Sequence, residues 1–255
     1  MSLNNTEKND NSQSLQGIHH FWKQPGETLA VMLRRFREEQ GMGEEEKLTY
    51  AGRLDPMAEG IVPILSGEAR FRKEQLMSAA KTYEVEILLG ISTDTGDMLG
   101  LVTKRDIQAI EGKEIEKAIE ALSSIQELVY PNYSSRPVDG KPLFVHARAG
   151  NRVQQPMKKV SIHSLELLGR KEVSLNSLIE SASEIINTVH GDFRQEAILA
   201  GWQEQKGNDE VQVVSIRTTV SSGAYMRSLA EKLGELLGVP ALAYRIVRIK
   251  INSEK

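Results

Sequence analysis

The stretch 49-TYAGRLDPMAEGIVPIL-65 places one carboxylate, Asp55, in a turn that leads into an apolar run. Asp-Pro dipeptides start many ordinary turns, so a purely structural role for Asp55 is the first alternative. The run over 61–65 predicts a short buried strand. Gly52 allows an unusual backbone angle and Arg53 supplies a nearby cation, which is the rigid, charged setting that a reactive carboxylate requires. Asp55 is therefore the first candidate catalytic residue.

The composition is that of a globular protein with a substantial core. The 255 residues are 40% hydrophobic and 26% charged, which is enough to form one large domain or two small ones. The chain contains no cysteine, so disulfides and thiol nucleophiles are excluded. Its five histidines show no spacing typical of a metal site. We therefore expect no metal centre.

The N-terminal residues 1–16 are polar and lack an apolar segment that could act as a secretory signal. We predict that this tail is disordered because it has almost nothing to bury. No apolar stretch approaches the roughly 20 residues that a membrane span needs. The expected location is the cytoplasm, with no contact to a membrane.

Hydrophobic periodicity predicts a mixture of helices and strands. Apolar residues at helical spacing between Thr28 and Gly41 predict a first helix, and the alternating run 82–90 predicts a strand with Tyr83 on its inward face. Further helices are predicted over 113–122 and 174–189, and further strands over 159–168, 211–220 and 244–251. Because helices and strands do not alternate strictly, we predict an α+β domain around a mixed or mostly antiparallel sheet.

The last predicted helix runs from Gly223 to about Leu237. Its cap is predicted to be Ser221 or Ser222, and Gly238 is predicted to end it. The apolar stripe that should face the core contains Tyr225, Leu229, Leu233 and Leu236.

The formal net charge of −3 conceals two segments of opposite charge. Residues 136–159 contain six lysines and arginines against one acid, a net charge of +5, whereas residues 171–210 contain three basic and eight acidic residues, a net charge of −5. A basic surface opposite an acidic one is typical of a protein that binds a polyanion with one face. A solvated basic loop is the alternative.

Four stretches, in the same order along the chain, resemble the motifs of TruB-type tRNA pseudouridine synthases. They are GRLDPMAEG at 52–60, KTYEVEILLGISTDTGDMLG at 81–100, YPNYSSRPVDGKPLFVHARAG at 130–150 and SSGAYMRSLAEKLGELLG at 221–238. GIHHFWKQPGETL at 17–29 resembles the opening Lys-Pro-x-Gly segment of the family more weakly. The resemblance covers about residues 17 to 250.

This resemblance implies the pseudouridine synthase fold, a central mixed or antiparallel sheet flanked by helices with a catalytic cleft. It also implies isomerisation of uridine to pseudouridine in RNA, most simply the T-loop uridine of tRNA, without a cofactor. We expect residues 17–255 to form this catalytic domain, as a monomer without the C-terminal RNA-binding domain of the family. Within it, 136–159 is expected to be a basic RNA-binding loop and 171–210 an acidic helical insertion.

The resemblance assigns three residues to catalysis. Asp55 matches the catalytic carboxylate, which acts either at the sugar C1′ or on a sugar proton, and Arg227 matches the arginine that pairs with it. Tyr83 matches the tyrosine that stacks on the base and acts as a base on the C5 proton, although a core tyrosine is the alternative. The expected substrate-binding residues are Tyr50, Arg53, Lys81, Arg136, Lys141, Arg148 and Tyr225.

The sequence departs from the family pattern at several positions. Tyr50 stands where the family has a histidine, Ser222 where it has a lysine, and Arg53 and Glu59 resemble ribosomal RNA pseudouridine synthases instead. Two alternatives therefore stay open, a pseudouridine synthase for another RNA and a non-catalytic RNA-binding protein on the same scaffold. A carboxylate hydrolase would need a second acid, for which Asp94 or Asp97 is the candidate.

Overall fold

A seven-stranded mixed sheet organises residues 17–252, the part of the chain that the computed structural model describes. The predicted disordered tail 1–16 lies outside the described residues. In chain order the strands and helices are β1 (Gly17–Lys23), α1 (Leu29–Gln40), β2 (Leu48–Tyr50), β3 (Glu59–Ser66), α2 (Lys73–Ser78), β4 (Ala80–Leu89), β5 (Ile91–Thr93), β6 (Val102–Arg105), α3 (Gly112–Ser123), β7 (Glu127–Val129), β8 (Pro137–Val138), β9 (Lys141–Pro142), α4 (Leu143–Arg148), β10 (Met157–Lys159), β11 (Ile162–Ser174), α5 (Leu175–Thr188), α6 (Gln195–Gln203), β12 (Glu210–Val220), α7 (Met226–Leu237) and β13 (Ala241–Asn252), with a 3-10 helix at Gly67–Arg72 between β3 and α2.

The strand order in the main sheet is β1-β3-β13-β4-β12-β11, and β2 also pairs with β3. All of these pairs are antiparallel except β3 with β13, which run parallel at Glu59 opposite Val247 and Gly60 opposite Arg248. Strands β4, β12 and β13 form the long central part. The predicted mixed sheet is confirmed.

Helices cover both faces of this sheet. Alternate residues of β4 point to opposite sides, so that Ile87 packs in a cluster with α1, α3 and α7 while Leu88 packs in a second cluster with α5 and α6. Trp202 of α6 is almost fully buried in the second cluster. The two cores hold the central strands rigidly, as a site at their ends requires. No helix among residues 17–252 is long and apolar enough to span a membrane.

The close parallel contact between β3 and β13 depends on Gly60. Its φ is +120°, a region that side chains rarely adopt. A Cβ atom at this position would lie 2.3 Å from the carbonyl oxygen of Arg248. Glycine therefore lets the strand that follows the Asp55 turn lie directly against β13.

The first predicted helix has both predicted ends, whereas the last begins at a different residue from the predicted one. Thr28 caps α1 by accepting a hydrogen bond from the Val31 amide at 3.3 Å, and Gly41 ends α1 with φ +62°. Helix α7 begins at Met226 rather than Gly223, so the predicted serine caps are wrong and Tyr225 is the N-cap residue. The reason is a turn before the helix, in which the Ala224 amide donates to the Ser221 carbonyl.

The predicted apolar stripe of α7 is correct at its centre and wrong at its end. Leu229 and Leu233 are fully buried, whereas Leu236 is 39% exposed because it lies in the last turn. Gly238 ends the helix with φ +74°, as predicted. Tyr225 is displaced from the helical face because it precedes the first helical residue.

The two charged segments contain regular structure. Residues 136–159 form the β8–β9 hairpin, the short helix α4, a connection and β10. Residues 171–210 contain the end of β11, the helices α5 and α6, and the first residue of β12. Both segments reach the cleft described next.

Candidate active site

A cleft of about 600 Å³ opens at the ends of β4, β13 and α7. Its volume lies within the range of small-molecule and nucleotide sites. The segments that line it are the Asp55 turn, the start of β4, the loop after β5, residues 133–135, α4, the α5–α6 connection, residues 222–227 and β13. Chemistry-bearing residues from all four recognised motifs therefore meet in one cavity.

Asp55 and Arg227 form an ion pair at the base of this cleft. The Arg227 Nε atom lies 2.8 Å from Asp55 Oδ2. The Nε–H makes no well-aligned hydrogen bond, so the contact is an electrostatic pair rather than a directed bond. The Arg227 side chain is 3% exposed and that of Asp55 is 37% exposed. The cation is therefore fixed inside the protein while the carboxylate faces the open cleft.

Two backbone carbonyls fix the Arg227 guanidinium. Its Nη1 donates to the Thr95 carbonyl at 2.6 Å, and its Nη2 donates to the Tyr133 carbonyl at 3.1 Å. Burial opposes the charge of Arg227, but Asp55 and Asp97 outweigh burial and raise its pKa. Arg227 thus stays charged in a site where an unpaired cation would be costly.

Asp97 is a second carboxylate behind the ion pair. Its Oδ2 lies 3.8 Å from Arg227 Nε, and its Oδ1 accepts hydrogen bonds from the Thr95 hydroxyl and the Leu99 amide, both at 2.9 Å. Burial raises the pKa of Asp97 to about 6, although Arg227 opposes this shift. Asp97 shapes the loop that holds Arg227, and although it lines the cleft it is only 5% exposed.

Two tyrosines contribute to the wall of the cleft. Tyr83 is 8% exposed and lies opposite Thr218 of β12 and Arg248 of β13 in the sheet. It both packs in the core and lines the cavity. Tyr225 stacks edge-on against Tyr130 with ring centroids 5.7 Å apart, and its burial, followed by the charge of Asp55, raises its pKa.

The turn that carries Asp55 is held from β1 by Lys23. This lysine is fully buried, and its ammonium donates to the carbonyls of Gln24 at 3.0 Å, Pro56 at 3.1 Å and Ala58 at 2.6 Å. Burial lowers the pKa of Lys23 to about 8, against the opposing charge of Glu27 and other acids. The lysine thereby fixes the chain directly after Asp55.

The same turn is held from β13 by Arg248, which is 1% exposed. Its Nε donates to the Ile61 carbonyl at 2.7 Å, while its two Nη atoms donate to the carbonyls of Arg53 at 3.3 Å and Gly52 at 3.0 Å. The guanidinium thus bridges the chain before Asp55 and the strand that follows it. The Asp55 turn is fixed by two cations on the strands that flank β3.

With this geometry established, sequence comparison places the chain in a family. The model for "TruB family pseudouridylate synthase (N terminal domain)" matches residues 40–186, which is more than half of the chain. This chain belongs to the TruB family of pseudouridylate synthases.

Curated TruB-family relatives support the same assignment. The tRNA pseudouridine synthase B of Aromatoleum aromaticum is 36% identical over 206 residues, covering 81% of this chain and 54% of the relative. That of Bacillus thuringiensis strain Al Hakam is 34% identical over 206 residues, covering 80% of this chain and 56% of the relative. The chain spans about half the length of the curated relatives it matches.

Solved structures of low sequence identity share the fold of this TruB-family chain. The Cbf5-Nop10-Gar1 complex matches with a TM-score of 0.55 at 16% identity, over 92% of this chain and 48% of the other. An H/ACA RNP bound to a substrate RNA containing 2′-deoxyuridine matches with a TM-score of 0.53 at 16% identity, over 92% of this chain and 47% of the other. The predicted pseudouridine synthase fold is confirmed.

Most of the site residues predicted from the TruB motifs line the cleft together. They are Asp55, Tyr83, Arg227, Arg53, Lys81, Arg148 and Tyr225. Lys81 nevertheless uses its ammonium within the protein, since Nζ donates to the carbonyls of Leu76, Met77 and Ala79 at 3.1, 2.8 and 2.6 Å. Burial lowers its pKa to about 8. In this structure Lys81 closes the end of α2 rather than presenting a cation to the cleft.

Three predicted substrate-binding residues are not among the described residues that line the cleft. Tyr50 packs against the core cluster that contains Ile87, and the Lys73 ammonium lies 5.7 Å from the Tyr50 ring centroid. Arg136 is exposed and lies over the Tyr130 ring at 5.4 Å, and Lys141 is exposed in the β8–β9 hairpin. Tyr50, at the family histidine position, thus packs against the core in this structure.

The motif comparison did not single out Lys23, Arg248 or the pair Phe193 and Arg194. Lys23 occupies the lysine position of the weaker opening motif, which is a signal that could have identified it. Arg248 interrupts the alternating pattern of the last strand with a buried cation. Phe193 and Arg194 lie in the segment 171–210, outside every recognised motif, so no sequence signal placed them in the cleft.

Proposed function

We propose that this chain isomerises uridine to pseudouridine in RNA. The observation that carries this proposal is the ion pair of the half-exposed Asp55 with the buried Arg227, in a cleft that Tyr83 also lines. A carboxylate fixed by a cation on one side and open to the cleft on the other is suited to attack a bound nucleotide.

The reaction conserves the atoms of the base and the sugar. The N1–C1′ bond breaks, the base turns while it is held, and a C5–C1′ bond forms as the C5 proton leaves and N1 gains a proton. Asp55 acts either at C1′ or on a sugar proton, and Arg227 pairs with it and orients it. Tyr83 stacks on the base, and its phenolic oxygen accepts the C5 proton as its own hydroxyl proton passes to solvent.

The target uridine must leave the RNA stack to reach Asp55, because the carboxylate lies inside a cavity. The basic segment 136–159 supports this step as the RNA-binding surface of the proposal. Arg148 lines the cleft and is exposed, and Lys141 is exposed nearby in the chain. Lysine and arginine side chains in such positions bind RNA phosphates.

The favoured substrate is the T-loop uridine of tRNA, presented as a stem-loop. The relatives at about 35% identity that are named tRNA pseudouridine synthase B support this choice. We also propose that the chain acts as a monomer, in the cytoplasm with its substrate.

The hydrolase alternative requires a second free acid, and neither candidate is free. Asp94 pairs with Arg194 at 2.7 Å, and Asp97 is buried and bonded within its own loop. Both acids therefore serve the structure of the cleft.

Tritium release tests the proposed function. Purified protein would be incubated with unmodified tRNA and with total RNA that carry C5-tritiated uridine, and any pseudouridine formed would be mapped. Tritium release from the tRNA T-loop supports the proposal. Tritium release from other RNA alone would mean that the substrate is an RNA other than tRNA. Binding without release from any RNA would favour a non-catalytic RNA-binding protein.

A further inference from the structure

The connection between α5 and α6 places two side chains in the cleft. Phe193 and Arg194 line the cavity with Asp55 and Arg227, although they belong to the acidic segment 171–210. Phe193 is half-buried, and part of it packs against the core that α5 and α6 form.

Arg194 is held in place by an acid and an aromatic ring. Its Nη1 donates to Asp94 Oδ2 at 2.7 Å, and its Nη2 donates to Asp94 Oδ1 at 3.3 Å. Its guanidinium also lies 4.6 Å from the ring centroid of Tyr133. Both partners belong to loops of the active site rather than to the acidic segment. The backbone of Arg194 has φ +66°, which a residue other than glycine adopts at some cost.

Those two loops also hold Arg227. The Tyr133 carbonyl accepts from Arg227, and Asp94 directly precedes Thr95, whose carbonyl accepts from Arg227 as well. A further contact joins the connection to the basic segment, since Arg148 Nη2 donates to the Asp192 carbonyl at 2.6 Å. The connection is therefore fixed to three segments that line the cleft, namely the loop after β5, residues 133–135 and α4.

The side of the cleft that contains the α5–α6 connection has side chains suited to bind an unpaired nucleotide. Phe193 is accompanied in the cleft lining by Phe144, which is 37% exposed. When a uridine leaves the stack, the bases next to it lose a stacking partner. An aromatic side chain beside cationic groups is the surface on which such a base stacks.

We propose that Phe193 is a specificity-determining residue that stacks on a nucleotide next to the target uridine. The Arg194–Asp94 ion pair is the positioning contact that holds Phe193 against the cleft. This inference rests on the proposed function, because it requires an RNA uridine in the same cavity.

The test is a thermodynamic cycle between Phe193→Ala and RNA stem-loops with an abasic nucleotide at one loop position near the target uridine. Dissociation constants are measured in the Asp55→Asn background, so that catalysis does not disturb binding. With intact RNA, Phe193→Ala should weaken binding about tenfold. With an RNA that lacks the base at the contacted position, Phe193→Ala should leave the dissociation constant unchanged.

Additive effects of Phe193→Ala and every abasic position would overturn the inference. The positioning role is tested by Arg194→Gln, which should raise KM for intact RNA and leave KM for the abasic RNA and kcat for both unchanged. Equal losses on both RNAs would mean that Arg194 has a structural role alone.

Arg105→Gln is the matched control. Arg105 of β6 makes an ion pair with Asp209, which belongs to the acidic segment 171–210 as Phe193 does. Neither Arg105 nor Asp209 lines the cleft. This variant should bind both RNAs as the wild-type protein does. Failure of the proposed function is seen separately as absence of tritium release by the wild-type protein, whereas failure of this inference leaves that release intact.

Discussion

Lys23 and Arg248 hold opposite ends of the turn that carries Asp55. Lys23 donates to the Pro56 and Ala58 carbonyls, and Arg248 donates to those of Gly52 and Arg53. Both cations are buried and lie on strands that flank β3. Since backbone carbonyls after and before Asp55 are both fixed, the carboxylate needs little reorganisation when a substrate binds.

Lys23→Met should loosen the Asp55 turn. The substitution keeps the length of the side chain but removes the ammonium donor from three carbonyls, of which those of Pro56 and Gln24 keep a backbone donor and that of Ala58 keeps none among the described residues. The free energy of unfolding should therefore fall by about 2 kcal/mol. We expect kcat to fall at least about tenfold with little change in KM, because the loss concerns orientation rather than binding. Urea unfolding and tritium release measure both effects. Lys47→Met, at an exposed lysine, should change neither the stability nor kcat. Equal activity of the two variants would show that Lys23 does not hold the Asp55 turn for catalysis.

Arg227→Lys should keep the charge and lose the geometry. A lysine cannot contact Asp55 and the carbonyls of Thr95 and Tyr133 at the same time. The expected fall in kcat is about 100-fold or more, comparable to the loss of one oriented charge-stabilising group. Arg245→Lys is the control, since Arg245 pairs with Glu59 and its side chain is 54% exposed. Single-turnover rates near the wild-type value in Arg227→Lys would contradict the assigned role.

Gly60→Ala should prevent the parallel pairing of β3 with β13. The added Cβ would meet the Arg248 backbone at 2.3 Å, and φ +120° disfavours alanine. We expect a loss of stability above about 4 kcal/mol or a failure to fold. Gly41→Ala, at φ +62° with open space around its Cβ position, should cost about 1 kcal/mol. Thermal unfolding compares the two, and similar melting temperatures would show that the contact is adaptable.

The stability of the protein should carry a pH-dependent contribution from Asp97. Its pKa is about 6 in the folded state against 3.8 for the unperturbed group. Between these values the folded state binds a proton that the unfolded state has released. The contribution of Asp97 is therefore largest below about pH 4 and is lost as the pH rises through about 6.

Urea unfolding of wild type and Asp97→Asn at about pH 4 and about pH 7 measures this contribution together with the interaction of Asp97 with Asp55 and Glu231, because the carboxylates that do not interact with Asp97 cancel in the comparison. The wild-type protein should lose on the order of 2–3 kcal/mol relative to the variant between the two conditions. A constant difference between the two proteins would mean that Asp97 stays ionised throughout.

The sequence predicts much of the sheet and the shared location of Asp55, Tyr83 and Arg227, because these signals are local or belong to motifs. The alternation of β4 places Tyr83 on the inward face, where the structure has it. Most of the carbonyls that Lys23 and Arg248 contact are distant in sequence, so the lysine position of the weaker opening motif is the one sequence signal noted for this pair. The start of α7 was mispredicted because a turn at Ser221 competes with helix capping.

The placement of Phe193 and Arg194 depends on tertiary packing. Helix α6 is held on the loop after β5 by the buried Trp202, whose Nε1 donates to the Met98 carbonyl at 3.0 Å. This packing brings the α5–α6 connection to the cleft. A charge count over 171–210 reports the surface composition of the segment but cannot show which of its residues face inward.

The measurement that tests the central claim most directly is tritium release by Asp55→Asn. The substitution keeps the shape of the side chain and removes its negative charge. With a T-loop stem-loop carrying C5-tritiated uridine, the account predicts release by the wild-type protein, no detectable release by Asp55→Asn, and RNA binding by both. Asp106→Asn, outside the cleft lining, should behave as wild type. Turnover by Asp55→Asn at the wild-type rate would contradict the account.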